Sequence, residues 1–414
     1  MSNAARDAAI AKLAKAQSSQ YGMFVGAVSS EDKIIQVPTR TTGIPDLDLA
    51  LGGGGIPMGG IVEIYGEESS GKTTIALSAI SAMHEEDPEA LAVFVDVEHA
   101  LNIDLVRAMN VDEDRLIIAQ PESAPVALQI AREWINSGLA GIVVLDSTAA
   151  LVLEGDLQKD SGENDKVAGR ASLMSSELPK WLHGMKDSAT SVILLSQMRT
   201  MFYAHGAAGL QSTGGKSTKF YAMQRIKIRA PKGDLIKSGK TVIGSKVTGL
   251  VEKNKLGAPY REATWNILYG KGIDEIDGCF TLARHFGIIG KEKDTATKFF
   301  LYYEGSDLKL NKTELAVGLQ KAREALQSDP KLLESVKASI KAANKARGNN
   351  MKSLIGAEKA LPNPDIDGEI ACANFQAELR GEEITEGEKG MLTELLGEQD
   401  GPVSSESEDE EAAF

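Results

Sequence analysis

Short apolar runs alternate with amphipathic stretches from about residue 40 onward. The runs IVEIYG, LAVFVDVE, IVVLDS and SVILLSQ are rich in valine and isoleucine, as buried β-strands are. Between them, TTIALSAISAMHEE and APVALQIAREWINSG repeat apolar residues at helical spacing. Because buried strands that alternate with helices are typical of parallel sheets, we predict an α/β fold with a mostly parallel central sheet covered on both faces.

The pattern changes on either side of this region. The later runs RIKIRA, KVTGLVEKN and ATWNILYG alternate more and lie close together, so they predict an antiparallel extension of the sheet. Residues 3–20 have helical spacing, and TELAVGLQKAREALQS is the clearest helical stretch after Gly272. We therefore divide the chain into four parts: an N-terminal helical arm (1–39), a core (40–271), a small C-terminal α/β domain (272–345) and a divergent, largely disordered tail (346–414).

Length and composition agree with a folded protein of two or three domains. The chain has 414 residues, of which 42% are apolar. Its start lacks the continuous apolar run of a signal peptide, and no segment approaches the length needed to span a bilayer. Cys279 and Cys372 lie far apart and offer no metal-ligand spacing. We expect a cytoplasmic protein without membrane contact.

The net charge of -14 combines two opposite regions. Residues 378–414, the acidic tail, contain 13 acidic and 2 basic residues, which is the composition of a disordered segment. Residues 216–261, the basic block, contain 12 basic and 2 acidic residues. The basic block is long enough to attract nucleic-acid phosphates, and an ordinary solvated surface is the alternative interpretation.

The sequence GEESSGKTT matches the phosphate-binding loop G-x-x-x-x-G-K-[ST], with a predicted strand before it and a helix after it. Backbone N–H groups and the helix terminus hold phosphates in such a loop, so Glu67 and Glu68 can point outward. We expect Lys72 to reach the β- and γ-phosphates of ATP and the Thr73 hydroxyl to bind Mg²⁺. The predicted nucleotide-binding residues of this loop are Gly66, Glu67, Glu68, Ser69, Ser70, Gly71, Lys72, Thr73 and Thr74.

Acidic side chains end two of the predicted strands near the same edge of the sheet. Asp146 ends IVVLDS, where a carboxylate can position Mg²⁺. Glu98 follows VFVDV, where a carboxylate can orient and deprotonate the water that attacks the γ-phosphate. Asp96 is a rival for that catalytic role, since spacing alone does not separate the two acids.

A neutral amide and two irregular stretches belong to the same edge. Gln197 ends a strand and is placed to sense the γ-phosphate. The glycine-rich stretch 201–215 follows it directly, and the polar stretch 154–170 follows the Asp146 strand. A mobile loop attached to a phosphate sensor can act as a switch, with a plain surface loop as the alternative for each stretch.

Five motifs, taken together, resemble the RecA family of recombinases over residues 40–275: LDLALGGGGIPMGGIVEIYGEESSGKTT, VDVEHAL, VVLDSTAAL, TGGKSTKFYA and VEKNKLGAPY. The resemblance implies a RecA-type P-loop ATPase core in an ATP-driven filament on single-stranded DNA. Such a filament pairs its strand with homologous double-stranded DNA and exchanges strands. Whether a mediator or single-strand-binding protein assists stays open. The alternatives are a ring helicase or similar oligomeric ATPase, and a filament that coats DNA without hydrolysing ATP.

Position by position, the resemblance implies further roles. It favours Glu98 over Asp96 as the base and makes both irregular stretches DNA-binding loops. Lys253 and Lys255 match lysines that reach ATP across a subunit interface, and the N-terminal arm is expected to dock on the neighbouring subunit. The other implied residues are the interface residue Phe220, the sensor Gln197, and the DNA contacts Arg170, Arg199, Gly214, Gly215 and Lys216.

Three positions depart from the family pattern. Glu67 stands where the family usually has proline, which leaves the loop less rigid. Leu105 stands where an aromatic residue packs on adenine, and Asn102 where an acid lies nearby, so base selectivity stays open. With the long tail, these departures indicate an outlying member of the family, for which a viral or plasmid origin is one interpretation.

Overall fold

The computed structural model describes residues 3–21, 37–52, 54–151, 163–185, 188–202, 208–212, 215–231, 233–291, 296–304 and 310–354. The helices of this part are α1 (Asn3–Tyr21), α2 (Pro45–Ala50), α3 (Lys72–Glu86), α4 (Ile103–Ala108), α5 (Ala124–Ser137), α6 (Glu163–Gly184), α7 (Gly215–Tyr221), α8 (Glu275–His285), α9 (Leu319–Ser328) and α10 (Pro330–Leu354). The strands are β1 (Thr39–Arg40), β2 (Ile56–Pro57), β3 (Ile61–Gly66), β4 (Leu91–Asp96), β5 (Leu116–Ala119), β6 (Ala140–Asp146), β7 (Ser191–Phe202), β8 (Ala208–Ser212), β9 (Gln224–Arg229), β10 (Leu235–Ser238), β11 (Thr241–Asn254), β12 (Glu262–Leu268), β13 (Gly272–Ile273), β14 (Ile289–Gly290), β15 (Lys298–Glu304) and β16 (Leu310–Val317).

Most of the described strands form one large sheet, whose main path runs in the order β13-β12-β11-β9-β3-β7-β6-β4-β5, with β10 paired to β11 and β8 to β7. Strands β1 and β2 form a separate small sheet, and so do β14, β15 and β16. The strands from β9 to β5 pair in parallel. On the far side of β9, the strands β11, β12 and β13 continue the sheet in antiparallel pairing. The predicted parallel sheet with an antiparallel extension is confirmed.

Both faces of the parallel sheet are covered, because successive side chains of a strand point to opposite sides. In β3, Val62 belongs to one apolar cluster with Ile75 of α3. Its neighbour Ile61 belongs to a second cluster with Leu128 of α5 and Trp181 of α6. A slip of one residue would exchange the two faces, so these clusters fix the register that brings the strand ends together at one edge.

The small C-terminal domain has its own core, formed where β14, β15 and β16 pack against the last three helices. Phe280 and Phe299 meet edge to face there, with ring centroids 5.6 Å apart. The helix predicted over 313–328 is wrong in its first part, because β16 pairs with β15. Gly318, with φ of 93°, separates this strand from α9, and this backbone angle favours glycine.

The two ends of the chain compare differently with the sequence predictions. The N-terminal helix is confirmed as α1, where Ile10 and Leu13 are exposed. At the other end, α10 continues to Leu354, past the predicted domain boundary at residue 345. The acidic tail lies outside the described residues. Within the described ranges, no helix is both long enough and apolar enough to cross a membrane.

Candidate nucleotide site

The loop between β3 and α3 folds tightly at its two glycines. Gly71 has φ of 91° and precedes the first turn of α3, in a conformation that L side chains rarely adopt. A Cβ atom on Gly66 would lie 2.5 Å from the carbonyl oxygen of Ile228 and 2.9 Å from Ser70 Oγ. Neither position has room for a side chain, so the glycine spacing of the motif follows from the backbone path.

Side chains within this loop divide by exposure. Glu67, Glu68 and Ser69 are exposed, whereas Ser70 is 3% exposed. The exposure of both glutamates fits the predicted outward direction. Ser70 Oγ is buried and has no hydrogen-bond partner among the described residues. A buried hydroxyl without a partner beside helix N–H groups fits the oxygen atoms of a bound phosphate.

Lys72 lies under the loop and is 8% exposed. Its Nζ donates to the carbonyl oxygen of Glu67 at 2.7 Å and to that of Gly66 at 3.4 Å. Burial lowers the pKa of Lys72, while Asp146 is the largest influence that raises it. A buried cation held by backbone carbonyls can exchange those partners for phosphate oxygens without leaving the loop.

Thr73 and Asp146 meet across the sheet edge. Thr73 Oγ1 donates to Asp146 Oδ2 at 2.8 Å. Burial raises the pKa of Asp146 to about 6, and the nearby carboxylates of Glu98 and Asp96 act in the same direction. A divalent cation would compensate the negative charge of these acids, so a hydroxyl and a carboxylate in contact fit a hard cation such as Mg²⁺.

Glu98 accepts two hydrogen bonds on one carboxylate oxygen. Gln197 Nε2 donates to its Oε1 at 2.9 Å, and the Ser147 hydroxyl donates to the same atom. Sequence reasoning does not single out Ser147, and the one available signal is its place directly after Asp146. The predicted base and the predicted sensor are thus in direct contact.

Asp96 accepts hydrogen bonds from the backbone that follows β4. It is 1% exposed, and it accepts from the N–H groups of Ala100 at 3.2 Å and Leu101 at 3.1 Å. Gln120 Nε2 donates to it at 3.0 Å. A buried carboxylate with three donors holds its loop in place, whereas Glu98 is exposed at the site. The geometry favours Glu98 of the two rivals.

These residues converge because parallel strands end at one edge. Gly66 pairs with Gln197 across β3 and β7, and Asp96 pairs with Asp146 across β4 and β6. In open α/β sheets, ligands bind at the carboxyl ends of the strands. The residues that the sequence predicts from separate motifs therefore lie together at the sheet edge beside the phosphate loop.

The predicted DNA-binding residues are only partly described. Gly214 lies outside the described residues, as do 152–162 and 203–207 in the two irregular stretches. The backbones of Arg170, Arg199 and Lys216 lie in α6, β7 and α7, and their side chains are outside the description. Gly215, with φ of 73°, begins α7.

The stretch after Gln197 is more regular than its composition predicts. Strand β7 continues to Phe202 and pairs in antiparallel fashion with β8, from Met198 opposite Ser212 to Phe202 opposite Ala208. The prediction of an unpatterned loop over 201–215 is therefore wrong for its two ends. A hydrogen-bonded ribbon therefore connects Gln197 to the second predicted DNA-binding loop.

Lys253 and Lys255 lie far from the phosphate loop of their own subunit. The backbone N–H of Lys255 donates to Met223 O at 3.0 Å, and the N–H of Met223 donates to Ile61 O at 2.8 Å. Lys255 is therefore level with the first residue of β3, whereas Gly66 is the last. At about 3.3 Å per residue, this offset is roughly 16 Å along the strand.

Phe220, the residue implied to lie at an interface, is 73% exposed on α7. Lys253 Nζ donates to the carbonyl oxygens of Phe220 at 3.1 Å and Lys219 at 2.7 Å, near the end of that helix. Lys253 and Phe220 thus belong to one connected surface element.

The comparisons with known proteins agree with this geometry. The family model described as the RecA N-terminal domain matches residues 5–274. A "Protein RecA" from Salinispora arenicola (strain CNS-205) is 34% identical over 336 residues, which cover 81% of this chain and 90% of that protein. The chain belongs to the RecA family.

Two further relatives show similar coverage. "Protein RecA" from Clostridioides difficile (strain 630) is 36% identical over 308 residues, 74% of this chain and 84% of that protein. "Protein RecA" from Acidothermus cellulolyticus (strain ATCC 43068 / DSM 8971 / 11B) is 38% identical over 300 residues, 72% of this chain and 82% of that protein. The resemblance drawn from the motifs is confirmed.

Family membership settles the general activity. As a RecA family member, the chain is an ATP-dependent DNA recombinase that acts in DNA repair, with DNA-dependent ATPase activity. The family uses ATP with a divalent metal, binds DNA and forms filaments. The ring-helicase and non-hydrolysing alternatives are not favoured.

Proposed function

We propose that this RecA family member hydrolyses ATP at the cleft formed by the phosphate loop, Asp146, Glu98 and Gln197. The observation that carries the proposal is the contact pair at one sheet edge, Thr73 with Asp146 at 2.8 Å and Gln197 with Glu98 at 2.9 Å. Strands that are distant in sequence bring a cation-binding pair beside a base-and-sensor pair. This is the arrangement that phosphoryl transfer to water requires.

The role of each residue in the proposal follows from where its side chain lies relative to the phosphate loop. Loop N–H groups and the Ser70 hydroxyl hold phosphate oxygens, and Lys72 neutralises the β- and γ-phosphates. Thr73 and Asp146 hold Mg²⁺, which when bound neutralises charge that develops on the phosphates. Within the described ranges, no cluster of His, Cys, Asp and Glu side chains could hold a metal alone, which fits a cation shared with substrate phosphates.

Glu98 is the general base in this proposal. Its Oε1 accepts from Ser147 and Gln197, so that its other oxygen can take a proton from the attacking water. A γ-phosphate offers Gln197 a stronger acceptor than a shared carboxylate oxygen. The amide can then turn towards the phosphate and move the β7–β8 ribbon, which links nucleotide state to the DNA-binding loops.

The nucleotide lies between subunits in our proposal. Lys255 is offset by roughly 16 Å along β3 from the phosphate loop of its own chain, and Lys253, level with Glu63, by roughly 10 Å. Both lysines therefore serve a neighbour's nucleotide in the filament. The exposed ring of Phe220 contacts the same neighbour, and α1 docks on another. Leu105, partly buried against the core, is the candidate for contact with the adenine base of the nucleotide.

We further propose the cytoplasm as the location and single- and double-stranded DNA as the ligands of the basic block. A mediator or single-strand-binding protein is a candidate partner in loading the filament. Electron microscopy with single-stranded DNA and a slowly hydrolysed ATP analogue tests the assembly. A helical filament is expected, and closed rings would contradict it.

The interfacial site is tested with Lys253→Ala/Lys255→Ala. We expect this double variant to lose cooperative turnover even where high salt alone drives assembly without DNA. Mixing it with Glu98→Gln, which assembles with intact lysines but does not turn over, should restore partial turnover, because some interfaces then combine an intact phosphate loop with intact lysines. Full salt-stimulated turnover by the double variant alone, with weakened DNA binding, would assign these lysines to the DNA surface instead.

A further inference from the structure

A buried cluster of charges crosses three strands beside the phosphate loop. Arg225 of β9 donates from Nε to Glu63 of β3 at 2.6 Å and from an outer nitrogen to Glu252 of β11 at 3.0 Å. Its guanidinium lies 4.6 Å from the ring centre of Tyr65. Glu63 is fully buried and Arg225 is 8% exposed. Burial, followed by the neighbouring Glu252, raises the pKa of the Tyr65 hydroxyl, so Tyr65 also belongs to the cluster.

Burying such a charged cluster carries a large desolvation cost. Removing two carboxylates and a guanidinium from water costs several kcal/mol per ion, and apolar residues of similar volume often stabilise a fold as well or better. What the ionic cluster provides is direction, since a guanidinium with two carboxylate partners is held in one orientation. The question is which part of the molecule needs that orientation.

The end of β11 is the part that departs from regular structure. The register between β11 and β9 shifts between Val251 and Lys253, so Glu252 is an extra residue without a partner across the ladder. Bulges of this kind re-aim side chains. Val251 packs in the apolar core, and Glu252 turns to Arg225 instead. The cluster therefore fixes the strand at its irregular point.

The residues on either side of the cluster belong to two different nucleotide sites. Glu252 directly precedes Lys253, one of the two lysines that we assign to a neighbour's nucleotide. Tyr65 directly precedes Gly66, the first residue of the subunit's own phosphate loop. The charge of Arg225 also acts on Lys253, whose pKa is lowered first by burial and then by nearby cations, while Glu63 opposes this.

We propose that Glu63, Arg225 and Glu252 are positioning residues, which hold the bulged end of β11 so that Lys253 and Lys255 meet the nucleotide of a neighbouring subunit. This inference rests on the interfacial site proposed above. The cluster also joins the strand of one nucleotide loop to the strand that completes the next. In each subunit, the ion-paired strands β3, β9 and β11 therefore support both its own phosphate loop and the two lysines that reach a neighbour's nucleotide.

Glu252→Gln is the most direct test, because Glu252 is the least buried member of the cluster and its amide keeps the size of the side chain. Glu262→Gln on the adjacent strand β12 is the matched control, since Glu262 is exposed. We expect Glu252→Gln to leave the unfolding midpoint and the nucleotide affinity of DNA-free protein unchanged. DNA-dependent kcat should fall about 10- to 100-fold, the cost of slightly misplaced catalytic groups, and the control should match the parent protein.

A mixing experiment then shows where the defect acts. Glu98→Gln subunits supply intact lysines but no turnover of their own. Turnover per Glu252→Gln subunit should rise as Glu98→Gln is added, because more of its phosphate loops then face well-placed lysines. Turnover that does not rise would locate the defect in the subunit's own loop and overturn the positioning role.

The outcomes also distinguish the positioning role of the cluster from the interfacial role of Lys253 and Lys255. If Lys253→Ala/Lys255→Ala loses turnover while Glu252→Gln keeps full kcat, only the positioning role is refuted. If both variants keep full turnover, the interfacial lysines themselves are refuted, and the positioning role with them. Recovery of kcat by Glu252→Asp relative to Glu252→Gln supports the ionic contact with Arg225 as the cause.

Discussion

Two single variants, Asp96→Asn and Glu98→Gln, distinguish the acid that stabilises the fold from the acid that takes part in ATP hydrolysis. In Asp96→Asn, one carboxylate oxygen becomes an NH₂ group, so either Ala100 N–H or Leu101 N–H faces a donor. Losing a hydrogen bond to a charged acceptor costs about 1.5–3 kcal/mol, and a buried donor left unpaired costs about 1–3 kcal/mol. We expect the free energy of unfolding to fall by about 2–5 kcal/mol.

Glu98→Gln should behave in the opposite way. The side chain is exposed, and an amide oxygen can still accept from Ser147 and Gln197. The free energy of unfolding should therefore change by less than about 0.5 kcal/mol. Because an amide does not take a proton from water, kcat for DNA-dependent ATP hydrolysis should fall about 10²- to 10⁴-fold.

Urea unfolding and phosphate release on single-stranded DNA measure the two effects. Turnover is compared at a temperature where Asp96→Asn stays folded, with Glu89→Gln, an exposed acid before β4, as the matched control. Normal turnover by Glu98→Gln would refute its role as the base. Parental stability in Asp96→Asn, with a selective loss of kcat, would return that role to Asp96.

Three further predictions concern assembly, the tail and pH. Lys72→Ala removes the positive charge that neutralises the γ-phosphate and should abolish nucleotide-dependent filaments in electron micrographs, whereas Glu98→Gln should still assemble. Deleting residues 378–414 should strengthen duplex DNA binding at low salt in fluorescence anisotropy, because the acidic tail competes with phosphates, and the gain should shrink as salt is added; unchanged affinity at low salt would contradict this. Burial, together with Asp277, raises the pKa of Asp46 above its ordinary value to about 7, so stability contributed by its proton is lost progressively as pH rises from about 4 to about 7. Asp46→Asn should therefore raise the free energy of unfolding at pH 8 by about 1–3 kcal/mol, with little gain at pH 4, in denaturant titrations.

The sequence by itself determined the features that depend on neighbouring residues in the chain. The phosphate loop is local: glycines permit the backbone of Gly66 and Gly71, and Lys72 and Thr73 follow in the first turn of α3. The end of β6 at Asp146 was also predictable, because buried apolar runs have a characteristic length and composition. Gln197, by contrast, does not end its strand, since β7 continues to Phe202. The gathering of Gly66, Asp146 and Gln197 at one edge follows from parallel pairing.

The tertiary structure decided what depends on residues distant in sequence. Glu98 and Asp96 are indistinguishable by spacing, and it is the contacts of Asp96 with Leu101 and Gln120 that favour Glu98 as the base. Residues 313–317 have helical composition but form a strand, because β15 offers hydrogen bonds and a packing surface there. The bulged residue Glu252 likewise meets Arg225 of another strand, which also pairs with Glu63 of a third. Local patterns report backbone preference and burial, whereas pairing register and buried charge partners are properties of the assembled sheet.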